Sequence, residues 1–475
     1  VFQNGPNWGK DVFIPMDFII GGQERIGQGW KMLMTALAAG RGISLPSQSS
    51  AGAAYCARAT GAYARIREQF HVPIGKFEGI EEPLARIAGT AYQLDAARRL
   101  TCAALNQGIH PAVVSGIMKL HATERLRITV DDAMDIHGGK AVIDGPQNYM
   151  GNLYRSVPVA ITVEGANILT RNLIVFGQGS VRAHPYLLSE MNAIGDPDRK
   201  KGLADFDASF WKHVGHAITN TFRAWGRSWT GGAFAPAPEA GAATGYYRQL
   251  SRYSAAFALC SDMALLTLGG ALKRKEMLSA RLGDILSELY LLSAALKRWE
   301  DEGRQDADFP ALQWVMANGI RTIESRLAEV IANLPNRFVG VILKFLIQPL
   351  GANPLGPSDK VVHHCAQMIL APGAVRDRLT AGLYHGNDDG PLARLERAFL
   401  LVTANEPIEK KMHAAKIRDW SEAVKKGVIT ADEGAKLKAA HDAVALVIEV
   451  DDFAPEALSP IYHKRTEAKQ TTPDR

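Results

Sequence analysis

The stretch Val163-Glu164-Gly165-Ala166-Asn167-Ile168-Leu169-Thr170-Arg171 places a lone carboxylate at the mouth of an apolar run. Val157 to Thr162 before it carry no charge, and Ile168, Leu169, Leu173, Ile174 and Phe176 follow it until Gly177 stops the run. A helix beginning here favours the anion and lowers its pKa. Apolar neighbours desolvate the same carboxylate and raise its pKa. A base held between those pulls is suited to taking a proton from carbon. The plainer reading, an acidic residue in the first turn of an ordinary helix, draws on the same preference.

Upstream of that carboxylate the pattern is helical. Trp30 to about Phe70 is Ala-rich, with Leu45-Pro46 predicted to kink or break the helix. Gly79 to Gln107 reads as a second helix behind Pro83, with Leu84, Ile87, Ala88, Ala91 and Leu94 on one face. Pro111 opens a third that runs to His137, and the Glu164 segment is the fourth. Four long helices with short connections predict an up-down bundle. Residues 1–29 hold two short strand-type runs, Asp11 to Pro15 and Phe18 to Ile20, ended by Gly21-Gly22. Between the third and fourth helices, Gly138-Gly139 would let main-chain N–H groups approach a cofactor closely.

Glu164-Gly165, Arg171 and the upstream Asp135-Ile136-His137-Gly138-Gly139 together resemble the acyl-CoA dehydrogenase family, in its long bacterial fatty-acid β-oxidation branch. The resemblance implies an all-α fold: residues 1–29 as the end of a β-domain, 30–180 as the four-helix bundle, 183–465 as an accessory helical domain and 466–475 as a disordered tail. It implies FAD as cofactor and α,β-dehydrogenation of a medium- or long-chain fatty acyl-CoA to the trans-2-enoyl-CoA. Glu164 would take the C2 proton while hydride passes to flavin N5, and a main-chain N–H of the catalytic Glu would polarise the thioester, with Gly165 also at the substrate. Arg41 matches the arginine beside the base. Its neighbour is Gly40, so no second carboxylate competes for the role.

The same resemblance makes Arg65 to Phe70 the helix end that reaches the flavin of a neighbouring subunit. Arg67 would pair with the pyrophosphate through a planar guanidinium, Gln69 and Phe70 would lie beside it, and Asp135, Gly138 and Gly139 would complete the flavin contacts. Expected partners are the acyl-CoA, an electron-transferring flavoprotein and further copies of the chain, with no nucleic acid. Asp135, Lys140 and Ala166 to Ile168 depart from the family's usual residues. The chain starts at Val1 in mid-domain sequence, and a missing natural amino terminus is the expectation. An acyl-CoA oxidase, or a non-catalytic membrane-associated module built on a degenerate bundle, are the competing readings.

Composition agrees with an ordinary globular chain: 475 residues, 47% hydrophobic and 22% charged. A net charge of +5, from 54 basic and 49 acidic residues, is too mild for nucleic acid and suits an acidic thioester or an anionic surface. Four scattered cysteines fit a reduced, cytoplasmic setting. His363-His364-Cys365 has no second half at zinc spacing, so no metal site is expected. No apolar run of spanning length is apparent. Leu282, Ile285, Leu286, Leu289, Leu292 and Leu296 mark an accessory core helix. Phe338, Val341, Ile342, Phe345 and Leu346 share a face of segment 337–348, with Arg337 and Lys344 on the other. That face is read as core, with peripheral contact on the inner face of the bacterial inner membrane as the alternative.

Overall fold

A computed structural model describes residues 5–109, 112–180, 184–384 and 389–458. The fold is all-α. Helix α1 (Gly29–Ile66) runs unbroken through Pro46, so the proline does not divide it. Helix α2 (Glu78–Asn106) begins before Pro83, which sits inside it, and α3 (Ala112–His137) follows. These three pack together through small residues: Ala53, Ala57, Ala59 and Ala62 of α1 and Ala85, Ala88 and Ala91 of α2 are buried.

The fourth leg is not one helix. After the short α4 (Gly139–Val142), α5 (Gly151–Thr162) stops at Thr162, and a new turn, α6 (Asn167–Leu169), continues as a π-helix over Thr170–Gln178. The two halves meet at 47°. Glu164 is therefore not in the first turn of a helix, as the pattern suggested. It stands in the break, two residues ahead of the Ala166 cap.

The strand-type runs near the amino end form no strand. Residues 16–18 and 23–25 are single 3-10 turns, and among the described residues no strand lies beside them to complete a ladder. A small hairpin appears instead just beyond α1, where β1 (Glu68–Gln69) pairs antiparallel with β2 (Val72–Pro73).

The accessory helices are α7 (Leu187–Ile194), α8 (Arg199–Trp229), α9 (Thr244–Leu268), α10 (Glu276–Asp301), α11 (Phe309–Asn333), α12 (Arg337–Ile347), α13 (Asp359–Leu370), α14 (Ala374–Leu379), α15 (Pro391–Ala414), α16 (Trp420–Lys425) and α17 (Ala431–Ile448). Apart from a small cluster of Ile408, Met412, Ala423, Ile429 and Leu437, they share their core with the bundle. One hydrophobic cluster joins Ala57, Leu84 and Leu126 of the bundle to Leu282, Leu292, Val315 and Ile369 of the accessory helices. Glycines set the closest approaches. A Cβ on Gly61 would lie 2.2 Å from the Ile369 carbonyl oxygen, and one on Gly89 would lie 2.1 Å from the Trp314 ring.

A buried charge cluster ties the same halves. Arg376 bonds both Glu396 oxygens (3.0 and 2.5 Å) and the Arg58 carbonyl (2.7 Å), while Arg58 reaches Glu396 (3.0 Å) and Thr380 (2.9 Å). Buried guanidiniums need a carboxylate partner because an unpaired charge in the interior costs several kcal/mol, and here Glu396 serves both while the Nε of each arginine makes no hydrogen bond.

Two expectations about apolar segments are corrected. In α12 it is Gly340, Leu343 and Ile347 that pack inward, while Phe338, Val341, Ile342 and Phe345 are exposed and only Leu346 of the predicted face is half-buried against the core, so most of that face is a surface. Trp229 of α8 joins that surface, its ring 5.3 Å from Phe345. One helical stretch, Gly241–Arg274, is long and apolar enough to cross a membrane by length and composition. Leu250, Tyr253, Ala256, Leu259, Cys260 and Ala264 are buried along it, so in this fold it is a core helix. Residues 466–475 lie outside the described residues.

Candidate active site and flavin groove

The break in the fourth leg is held by a lysine. Lys119, fully buried on α3, donates through Nζ to the Ile161 carbonyl (3.2 Å), the Gly165 carbonyl (2.7 Å) and Asn167 Oδ1 (2.7 Å). Ile161 belongs to the last turn of α5, whose carbonyls have no helical partner. The Asn167 amide in turn donates to Thr123 Oγ1 (2.9 Å) and Glu124 (2.8 Å). Between these anchors Glu164 holds φ +55° and Gly165 φ +92°. A non-glycine residue in the left-handed region is strained and persists where its surroundings fix it.

The Glu164 side chain is exposed, and two cations feel it. Burial lowers the Arg41 pKa and Glu164 opposes the shift. Burial draws Lys119 down to about 8, again against the attraction of Glu164, with Glu124 helping and Arg41 opposing. Arg41 itself is buried and reaches Ser115 Oγ at 3.4 Å. Glu164, Gly165, Arg41 and Lys119 thus form one site, and Lys119 is the member the sequence reading lacked. Downstream, Arg171 pairs bidentately with Asp284 of α10 (2.8 and 2.6 Å), so the segment that carries Glu164 is anchored in the accessory helices.

The remaining site residues meet elsewhere. A groove of about 570 Å³ is lined by Arg67, Gln69, Phe70, His137, Gly138 and Gly139, together with Tyr63 and Ile448. Arg67 caps α1, and Phe70 and His71 form the hairpin turn with φ +55° and +62°. Two successive left-handed residues give the turn type that matches strand twist, and here they leave Phe70 87% exposed at the groove. Gly138, at φ +56°, turns the chain from α3 into α4.

His137 is stacked 4.3 Å from Tyr63 and directs Nδ1 at the Ala133 carbonyl (2.7 Å). Burial depresses its pKa to about 4, so the ring is neutral at pH 7. With its proton on Nδ1, the buried Nε2, which has no partner among the described residues, is an acceptor on a residue that lines the groove. A guanidinium, an exposed ring, a glycine turn and an orphaned acceptor fit a dinucleotide with phosphate, flat ring and hydroxyl groups. Asp135 is exposed on α3 and does not line this groove. Glu164 and Arg41 do not line it either.

Residues 181–453 match the family described as "Acyl-CoA dehydrogenase, C-terminal, bacterial type", and residues 27–177 match "Acyl-CoA dehydrogenase, C-terminal domain". The chain belongs to the acyl-CoA dehydrogenase family. It is 26% identical over 322 residues to the probable acyl-CoA dehydrogenase FadE10 of Mycobacterium tuberculosis, covering 64% of this chain and 46% of that protein. A 61-residue stretch is 61% identical to Protein HemX of Proteus mirabilis, 13% of this chain and 36% of that one. The chain therefore spans less than half the length of these curated relatives. Among solved structures, the acyl-CoA dehydrogenase complexed with FAD from Bacillus anthracis shares the fold, with TM-score 0.55 and 19% identity over 72% of this chain and 57% of that one.

The His363-His364-Cys365 cluster disperses: His363 Nδ1 meets Glu81 at 2.8 Å, and Cys365 is buried against the Ala85 carbonyl. A different group has ligand atoms within 4.8 Å of one another, namely His184, His213 and Asp262. Both nitrogens of His184 are already engaged there. Nδ1 accepts from the main-chain N–H groups of Tyr186 and Leu187 (3.2 Å each), which leaves Nε2 as the donor to Asp262 (3.1 Å).

Proposed function

We propose that this chain is the catalytic and flavin-contacting part of an FAD-dependent dehydrogenase acting on medium- or long-chain fatty acyl-CoA, in fatty-acid β-oxidation. The observation that carries the reading is the constrained Glu164 at φ +55° beside Arg41, in a helix break that Lys119 holds open. Glu164 takes the proton from C2 of the thioester. Its own main-chain N–H, in the break between α5 and α6, donates to the thioester oxygen and stabilises the enolate-like charge. FAD, when bound, supplies the hydride acceptor. Arg67 neutralises phosphate, Gln69 and Phe70 flank it, and the Gly138-Gly139 turn lets main-chain atoms approach it.

Two separate surfaces, one with Glu164 and one with Arg67, suit an oligomer in which each copy serves its own substrate and a neighbour's flavin. An electron-transferring flavoprotein then reoxidises the enzyme. The exposed Phe338, Val341, Ile342 and Phe345, flanked by Arg337 and Lys344, support peripheral contact with the cytoplasmic face of a bacterial inner membrane. Sedimentation with anionic vesicles checks that contact, and binding unaffected by Phe338→Ser/Phe345→Ser would refute it.

The function is tested on the complete protein by its absorption spectrum under anaerobic addition of palmitoyl-CoA. Flavin bands that bleach with the thioester and not with palmitate agree with the proposal. A protein purified without flavin and unable to take it up favours the non-catalytic module, and rapid reoxidation by oxygen favours the oxidase.

A further inference from the structure

The end of the accessory region lies on the groove assigned above to the flavin. Ile448, the last residue of α17, and Val450 line that groove together with Arg67, Gly138 and Gly139. Ile448 also lines an adjoining cavity of about 410 Å³, which contains Arg67, Trp420 and His441. The two cavities thus share Arg67 and Ile448, so the short arm at the end of α17 borders both.

The arm is clamped from below. Lys140, which directly follows the glycine pair and is buried, donates Nζ to the Glu449 carbonyl at 2.5 Å. Both oxygens of Asp451 accept from the Gln147 main-chain N–H (3.1 and 3.0 Å). Gly145 lies so close beneath that a Cβ there would stand 2.3 Å from Asp451 Cγ. Arg394 of α15 bonds Gln147 Oε1 at 3.2 Å, which braces the same loop from the accessory side.

We propose that residues 447–451 form a wall of the dinucleotide site, so that the accessory helices carry part of the cofactor's binding surface. This rests on reading the groove as the FAD site. Ile448 and Val450 provide the apolar side on which a flat ring or its linker packs, and Lys140 couples the arm to the Gly138-Gly139 turn. Displacing the arm opens the groove and moves the glycine turn together.

The test measures FAD affinity and release rate on the complete protein for Ile448→Ala/Val450→Ala and, separately, for Asp451→Ala. The wall variant loses two apolar contacts, so its Kd for FAD rises about tenfold and release quickens. The clamp variant shifts in the same direction, while the midpoint of flavin-free thermal unfolding changes little. FAD affinity within about twofold of the unmodified protein in both variants would overturn the proposal. Hydrogen exchange of residues 445–451 in the unmodified protein gives a second reading that no folding defect can obscure. Slower exchange on FAD saturation is expected, and unchanged exchange overturns the arm's role. An unmodified protein that never binds FAD overturns the site reading itself, an outcome distinct from both.

Discussion

Replacing Lys119 by Met keeps the length and apolar stem of the side chain and removes three donors from the helix break. Gly165 O retains Thr170 Oγ1 at 3.3 Å, but Ile161 O and Asn167 Oδ1 each lose a bond. Hydrogen bonds to a charged group are worth roughly 1.5–3 kcal/mol each. Removing a buried ammonium returns several kcal/mol of desolvation. The net loss is then about 2–3 kcal/mol, read from urea denaturation. The left-handed Glu164 stores about 1–3 kcal/mol of strain, so a released loop relaxes away from it. A carboxylate misplaced by about 1 Å costs on the order of 100-fold in rate. Flavin reduction by acyl-CoA should slow by about that factor, with FAD affinity unchanged because Lys119 is not in the groove. Full reduction rate in a destabilised Lys119→Met protein would refute the argument that this lysine positions the base.

Lys119 also sets a pH dependence. Its pKa in the fold is about 8, against 10.5 for a free lysine, so between those values the unfolded chain binds the proton more tightly. Stability contributed by this residue rises with pH across that window, and urea titrations should show the gap between the unmodified protein and Lys119→Met widening there. Asp284→Asn leaves the Arg171 fork, and the nearby Arg326, without their carboxylate. A loss of about 2–4 kcal/mol is expected, with faster hydrogen exchange across 164–171. Glu396→Gln strips the buried Arg376 and Arg58 of their shared anion, and should lower the unfolding free energy by about 3–5 kcal/mol. Because one core spans bundle and accessory helices, that unfolding should stay a single transition by circular dichroism and fluorescence alike.

Much of the site was legible because its signals are local. Glu164-Gly165 and Gly138-Gly139 are short motifs, and the bundle helices announce themselves through Ala-rich periodicity. Arg67, Gln69 and Phe70 could be grouped from one hexapeptide, although the left-handed turn that presents Phe70 has no glycine to betray it. Lys119 was not legible as a partner of residues 161–167. Its only trace is a charge set between Ile117, Met118 and Leu120, all of which are buried.

The arm at 447–451 meets Lys140 and Gln147 across some three hundred residues, a distance no periodicity crosses. In α12 the apolar count named the wrong buried face, since both sides carry large apolar residues. The face that buries is the one where Gly340 lets α12 come close, its Cβ position 2.9 Å from the Ile331 carbonyl. The predicted strands failed because apolar runs make a ladder only beside a partner.

The measurement that bears most directly on the account is anaerobic flavin bleaching by palmitoyl-CoA in the complete protein, unmodified against Glu164→Gln. The amide keeps the shape and cannot accept the C2 proton, so bleaching should slow by roughly 10²–10⁴-fold, the usual share of a general base. FAD binding should be unaffected. Equal bleaching in the two proteins would remove Glu164 from the chemistry and contradict the reading of the helix break as the catalytic site.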